Sequence, residues 1–272
     1  MNRIVTKRTL TTHVKLFEVE APAIAKKAKP GQFVILRIHE KGERIPMTLA
    51  GSDAEKGTVT IVFAEVGKSS KKLGTLEEGD EILNFAGPLG NAVEVKNYGT
   101  ILCVGGGVFV GALLYQIKAL KEAGNTIVAV VGARNPEQLI FVDEVKAVAD
   151  EFYVSTDDGA LGQEGLGFIE DMLKEREFDR VITIGPTSMQ RYVSDMTKPY
   201  GVPTTVNLFP IMVDGMGMCG ACRVTVGGEM KFACVDGPDF DGHQIDFDEL
   251  ISRMRVFTPH EKIAMVLHDR VI

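Results

Sequence analysis

Three cysteines crowd a short stretch near the end of the chain. Cys219, Cys222 and Cys234 fall within sixteen positions, while the fourth, Cys103, stands alone. Thiolates spaced C-x2-C and then x11-C on glycine-rich backbone can wrap a small metal centre, with main-chain N–H groups turned toward the sulfurs. Plant-type [2Fe-2S] sites use C-x4-C-x2-C and a distant fourth cysteine. Asp214 occupies the first of those positions here. A carboxylate ligates iron through oxygen, so Asp214, Cys219, Cys222 and Cys234 form a chemically complete set. Other residues compete for the fourth place. Cys103 lies in an apolar run and reads as core. His243 would make a Cys3His set and so suggest zinc, and Asp236 and Asp239 also lie close by in sequence. Zinc suits the spacing less well, because its second ligand pair usually repeats a close spacing and Cys234 has no near neighbour. A disulfide within the cluster is disfavoured in a reducing compartment.

A second set of residues suits phosphate. The turns Gly105-Gly106-Gly107, Gly132-Ala133-Arg134, Thr156-Asp157-Asp158-Gly159 and Gly185-Pro186-Thr187 each follow an apolar run and carry a small residue that lets a ligand approach the backbone. The Rossmann fingerprint fails, since Val110 stands where glycine or alanine is required and no acidic residue lies about twenty positions on. Arg134 is suited to a 2′-phosphate, which leaves NAD against NADP open. In the first half, Arg44, Pro46, Met47 and Thr48 offer a guanidinium and a hydroxyl on one strand, and Arg suits a pyrophosphate through its planar fork. Gly67, Ser69 and Ser70 lie at an expected helix start, where phosphate can also bind. The plainer alternatives are a surface ion pair for Arg44, a capped helix for Ser69 and Ser70, and tight turns for the glycines.

The elements that must position these groups change character along the 272 residues. Short strands at Ile4–Leu10, Val14–Val19, Phe33–Ile38, Met47–Ala50, Thr58–Ala64 and Glu81–Ala86, broken by glycine turns, predict a β-barrel over 1–97. From Thr100 a strand-helix rhythm predicts a parallel α/β sheet over 98–208, with helices at Phe109–Glu122, Glu137–Asp150, Gly165–Lys174 and Ser188–Lys198. Residues 209–272 form the expected cluster-bearing module. Hydrophobic residues at 45% and charged residues at 25% support folded domains. The net charge of −7 argues against general nucleic-acid or anionic-membrane binding. Residues 97–117 are uncharged but interrupted by Gly105, Gly106, Gly107 and Gly111, so they predict a buried strand, a turn and a helix rather than a membrane span. No secretory leader pattern opens the sequence, and the expectation is a cytoplasmic protein.

Barrel, nucleotide-type sheet and cysteine tail, in that order, resemble the ferredoxin-NADP reductase superfamily over essentially the whole length. The motifs are Pro30-Gly31-Gln32-Phe33, Arg44-Ile45-Pro46-Met47-Thr48, Gly67-Lys68-Ser69-Ser70, Gly105-Gly106-Gly107, and Cys219, Cys222 and Cys234 followed by Gly237-Pro238. They are similar to those of iron–sulfur electron-transfer subunits of two kinds, the dihydroorotate dehydrogenase type and the small subunit of NADH-dependent reduced ferredoxin:NADP oxidoreductase. The resemblance implies FAD across the barrel, NAD(H) on the second domain and a [2Fe-2S] cluster in the tail. It also implies a larger flavin or iron–sulfur partner subunit, with ferredoxin served indirectly. Asp214 in place of a first cysteine is similar to the second kind, which takes part in electron bifurcation. Arg44 and Ser69 would then hold the FAD pyrophosphate, Thr48 would lie near the flavin ring, and Gly106, Gly107 and Asp157 would border the nucleotide. No general acid or nucleophile is required. The rival readings are a zinc-stapled nucleotide-sensing regulatory subunit and a stand-alone flavoreductase.

Overall fold

A computed structural model describes residues 2–269. The first half is a seven-stranded antiparallel sheet, curled into a nearly closed barrel in the order β6-β1-β2-β5-β4-β3-β7. Its strands are β1 (Asn2–Thr11), β2 (Val14–Glu20), β3 (Phe33–Arg37), β4 (Ile45–Asp53), β5 (Thr58–Ala64), β6 (Glu81–Ile82) and β7 (Asn84–Leu89). Two short helices interrupt them, α1 (Pro22–Ala25) and α2 (Lys68–Gly74). Alternation fills the barrel: Val59, Ile61 and Phe63 of β5 point inward onto Phe17, Val34, Leu36 and Leu49. The single strand expected over Glu81–Ala86 is two strands, broken at Leu83, which pair with opposite ends of the sheet.

The second sheet has the order β11-β10-β9-β8-β12-β13-β16 and is parallel except at its last strand, β16 (Asp239–Asp241). It comprises β8 (Thr100–Gly106), β9 (Thr126–Ala133), β10 (Glu151–Thr156), β11 (Gln163–Glu164), β12 (Arg180–Ile184) and β13 (Thr204–Asn207), linked by α3 (Val110–Glu122), α4 (Val142–Val148), α5 (Phe168–Glu175) and α6 (Thr187–Thr197). The chain runs outward from β8 through β9 and β10, then returns to place β12 on the other side of β8. Beyond the carboxyl ends of β8 and β12 lies the crevice where ligands of such sheets bind.

Two helix expectations are corrected. The helix expected over Glu137–Asp150 is a 3-10 turn at Pro136–Gln138 and then α4, because Ile140 is drawn into the core and Phe141 takes a left-handed φ of 56°. The helix expected from Gly165 begins at Phe168, since Gly165 has φ +60°. Residues 97–117 form the end of a loop, β8 and most of α3, and no described helix is long and apolar enough to cross a membrane.

The tail holds more regular structure than its composition suggests. It contains a hairpin of β14 (Arg223–Val226) and β15 (Glu229–Phe232), then β16 (Asp239–Asp241), α7 (Phe247–Met254) and α8 (Thr258–Asp269). After the hairpin the chain returns to the second sheet, where β16 pairs antiparallel with β13. One apolar cluster joins Phe33 and Ile35 of the barrel, Val206 and Leu208 of the sheet, and Met212, Cys222, Val224, Cys234, Phe247 and Leu250 of the tail.

Candidate functional site

The cysteines are brought together by the hairpin. Gly227 and Gly228 take φ of +60° and +82°, the double positive turn that matches strand twist. Pairing of Arg223 with Phe232 then sets the residues just outside the strands opposite one another. Cys222 and Cys234 are buried with Sγ atoms 3.2 Å apart. Burial, reinforced by Cys222, pushes the Cys234 thiol up to about 12, so a metal that binds there must displace protons. On the facing loop, Asp214 Oδ1 accepts the N–H of Met216 at 2.9 Å, and Oδ2 accepts those of Met218 at 3.1 Å and Cys219 at 2.6 Å. These bonds, that from Met216 foremost, hold the carboxyl below the ordinary carboxylate range. A carboxylate offers about four lone-pair directions; three are used, which leaves one for a metal. Cys219 is exposed beside it.

Among the described residues no three His, Cys, Asp or Glu side chains converge on a single point. The four candidates instead form two pairs, Asp214 with Cys219 and Cys222 with Cys234, which suits two irons better than one zinc ion. The competing ligands are engaged elsewhere. Cys103 is sealed in β8, where burial pushes its thiol up to about 12. His243 Nε2 bonds Thr197 Oγ1 at 2.9 Å, Asp236 accepts the N–H of Phe232 at 2.6 Å, and Asp239 accepts from Asn207.

Next to this segment lies an apolar cavity of about 270 Å³. Pro46, Met47, Thr48 and Ser70 line it from the barrel, Val108 and Phe109 from the second domain, and Leu208, Phe209, Met212 and Pro238 from the approach to the tail. The rings of Phe109 and Phe209 stack with centroids 4.4 Å apart. A flat, largely apolar ring system such as isoalloxazine fits such a slot. Arg44 lies just outside, exposed and without a partner among the described residues, so the surface ion pair is not formed. Ser69 and Ser70 face different ways. Ser70 Oγ accepts the N–H groups of Val66 and Gly67, each at 3.0 Å, closing the start of α2. Ser69 donates to Glu43 and lines a smaller cavity with His39, Lys41, Lys68 and Lys72.

A third cavity, of about 490 Å³, opens at the carboxyl ends of β8, β9, β10 and β12. Gly106, Gly107, Arg134 and Asp157 line it together with Gln138, Ser155, Pro186, Met189 and Tyr192. Gly105 and Gly185 are not in its wall. A Cβ on Gly105 would meet Leu113 at 2.6 Å, and one on Gly185 would meet Met189 at 2.3 Å, so both allow close packing beneath the cavity. Sequence reasoning missed Gln138, Met189 and Tyr192 here and Phe209 in the apolar slot. Met189 and Tyr192 lie on α6 and Phe209 in the segment after β13, where apolar side chains read as ordinary packing, and Gln138 ends a short 3-10 turn with no motif to mark it.

Comparison with known proteins agrees with this geometry. Residues 210–246 match the iron–sulfur cluster binding domain of dihydroorotate dehydrogenase B. A Thermotoga maritima protein, described as a dihydroorotate dehydrogenase B (NAD(+)) electron transfer subunit homolog, is 48% identical over 97% of this chain and 94% of its own. The dihydroorotate dehydrogenase B (NAD(+)) electron transfer subunit of Clostridium acetobutylicum is 32% identical over 80% of this chain and 86% of its own. A chain from the solved structure of the NADH-dependent reduced ferredoxin-NADP oxidoreductase, studied for flavin-based electron bifurcation, superposes with TM-score 0.93 at 48% identity, covering 97% of this chain and 96% of that one. With cluster loop, apolar slot and nucleotide crevice in place and nearly every residue aligned, the chain belongs to the family of dihydroorotate dehydrogenase B electron-transfer subunits and their homologues.

Proposed function

We propose that this chain is the FAD- and [2Fe-2S]-carrying electron-transfer subunit of an electron-bifurcating, NADH-dependent reduced ferredoxin:NADP oxidoreductase. It exchanges electrons between NAD(H) and a larger flavin and iron–sulfur partner, which deals with ferredoxin. One observation carries this reading. The nucleotide crevice and the apolar slot meet at the loop 106–109, and the slot is closed on its far side by Met212 and Pro238, the residues that flank the cysteine segment. Donor, relay and outlet are thus neighbours.

Bound FAD supplies the conversion between two-electron hydride chemistry and one-electron transfer. The chain's own residues bind, orient and exclude water. Thr48 supplies a hydroxyl in the wall of the slot, Ser70 closes the start of α2 beside it, and Phe109 and Phe209 keep the slot dry. Arg44 and Ser69 hold the pyrophosphate, with Gly67 at the helix start between them. Gly106, Gly107, Arg134 and Asp157 border the nucleotide, and Asp214, Cys219, Cys222 and Cys234 hold the iron. No residue moves a proton in this scheme; closeness and orientation are what hydride transfer requires. The division of labour follows residues 1–97, 98–208 and 209–272.

Electron transfer within a dihydroorotate dehydrogenase is the second reading, favoured by the family match at 210–246. Asp214 and the superposition at TM-score 0.93 on the chain from the ferredoxin-NADP oxidoreductase structure favour the first. Purification from the native host, followed by visible spectroscopy and flavin, iron, sulfide and zinc analysis, tests the proposal. Flavin and two irons per chain, with a larger flavoprotein co-purifying, are expected. A colourless zinc protein overturns it, and a dihydroorotate-oxidising partner moves the chain to the second reading.

A further inference from the structure

We propose that Arg223 and Arg253 are positioning residues that set the reduction potential of the iron–sulfur site, by clamping two consecutive peptides of the Cys219–Cys222 turn from outside. The inference rests on the cluster reading above and adds residues that are not ligands. Arg223 Nη1 donates to Gly220 O at 2.7 Å, and Arg253 Nη2 donates to Ala221 O at 3.2 Å. The N–H of Ala221 donates in turn to Cys219 Sγ at 3.5 Å. In a trans peptide the carbonyl and the N–H point in opposite directions. The Gly220–Ala221 peptide is therefore held at its outer end by a guanidinium and at its inner end by a ligand sulfur. Arg253 holds the carbonyl of the next peptide, whose N–H belongs to Cys222.

The local structure is built for this. Gly220 has φ +64°, and a Cβ there would lie 3.0 Å from Arg223 Nη1. Arg223 is fixed as the first residue of β14, opposite Phe232. Arg253 is supplied by α7, which buries Phe247 and Leu250 in the same apolar cluster as Cys222 and Cys234. That helix lies beyond the residues matched by the iron–sulfur domain family. Neither guanidinium has a carboxylate partner among the described residues, so neither charge is neutralised by a neighbour. Cluster potentials follow net charge and hydrogen bonds to sulfur. Reduction adds one electron, delivered from NADH through the flavin, and hence one negative charge. Two cations held against the turn, one of them polarising a peptide whose N–H meets a ligand sulfur, favour the reduced form.

The test is a redox titration of the cluster, followed by electron paramagnetic resonance, in the complete purified complex. Arg253→Gln and Arg223→Gln should each move the equilibrium about tenfold toward the oxidised form, about 59 mV for one electron, at unchanged iron content. Arg253→Lys, which keeps the charge, should stay near wild type. Gln variants with full iron and a wild-type potential overturn the proposal, as does a Lys variant shifted as far as Gln. If Arg253→Gln fails to assemble the cluster, Arg223→Gln and Arg253→Lys decide: a normal potential in Arg223→Gln leaves the arginines a purely structural role and overturns it. A wild-type protein without a [2Fe-2S] signal refutes the cluster reading instead, which separates the two failures.

Discussion

Gly111 is the point where the helix that covers the nucleotide sheet touches the flavin barrel, and a side chain there should slow hydride transfer without weakening nucleotide binding. A Cβ at this position would lie 3.1 Å from Val62 Cγ2, 3.2 Å from Ala50 Cβ and 3.2 Å from Phe141 Cε2. Val62 and Ala50 belong to the barrel wall of the apolar slot, whereas Gly111 does not line the nucleotide crevice. Carbon atoms pack best at about 3.5–4.0 Å, so one methyl demands about 0.5 Å of retreat and a branched side chain more than ~1 Å. For Gly111→Ala, a helix-propensity gain of about 0.5–1 kcal/mol only partly offsets an overpacking cost of about 1–3 kcal/mol, so stability should fall by up to about 2 kcal/mol. Rate is more sensitive, because a misplacement of about 1 Å at a reacting pair costs about 100-fold. Scaled to these displacements, flavin reduction should slow about tenfold in Gly111→Ala and about 100-fold or more in Gly111→Val. Anaerobic stopped-flow mixing with saturating NADH, normalised to bound flavin, measures the rate, and its concentration dependence gives the affinity. A Gly111→Val protein that holds its flavin and is reduced at the wild-type rate would refute the idea that this contact sets the distance between the two rings.

Two other substitutions probe the tail. Asp214→Ala should lose iron and the associated paramagnetic signal while leaving flavin in place; full iron and an unchanged spectrum would mean that another residue completes the ligand set. Asp239 on β16 has one carboxyl oxygen sealed from solvent without a partner, and burial raises its pKa to about 6. An acid whose folded pKa is raised keeps full stability below the ordinary carboxylate value, loses it as pH climbs to about 6, and stays weakened above that. Asp239→Asn should remove this slope and gain about 3 kcal/mol at pH 8, since each tenfold change in proton affinity on folding is worth about 1.4 kcal/mol. Thermal melts at pH 5 and pH 8 check this, and parallel profiles for the two proteins would reject it.

Much of this design is legible in sequence where chemistry and local geometry coincide. Cys219, Cys222 and Cys234 carry their spacing openly, and the glycines at strand ends mark the crevice because a turn and a phosphate both need small residues. Strand β5 announces itself by alternation, and β8 by an unbroken apolar run. What escapes is long-range or depends on a side chain's final direction. Asp239-Phe240-Asp241 has no strand pattern of its own and pairs because Asn207 waits at an open edge. Ser69 and Ser70 are neighbours of like chemistry that turn to different cavities once α2 forms. Arg253 resembles any surface arginine until α7 lays it across the cysteine turn.

The return of β16 to β13 has a consequence for how this protein could change over time. The cysteine segment leaves the sheet after Asn207 and comes back to the same strand, with Asn91 of the barrel bonded to Val235 and Gly237 on the way. It is a closed loop stitched to both domains, so it cannot be shed like an appended module. A chain cut after 208 would bare an unpaired β-edge and part of the slot's wall, which invites strand-to-strand aggregation. A descendant wanting only the flavin and nucleotide chemistry would therefore have to keep the frame of the loop and could dispense only with its ligands.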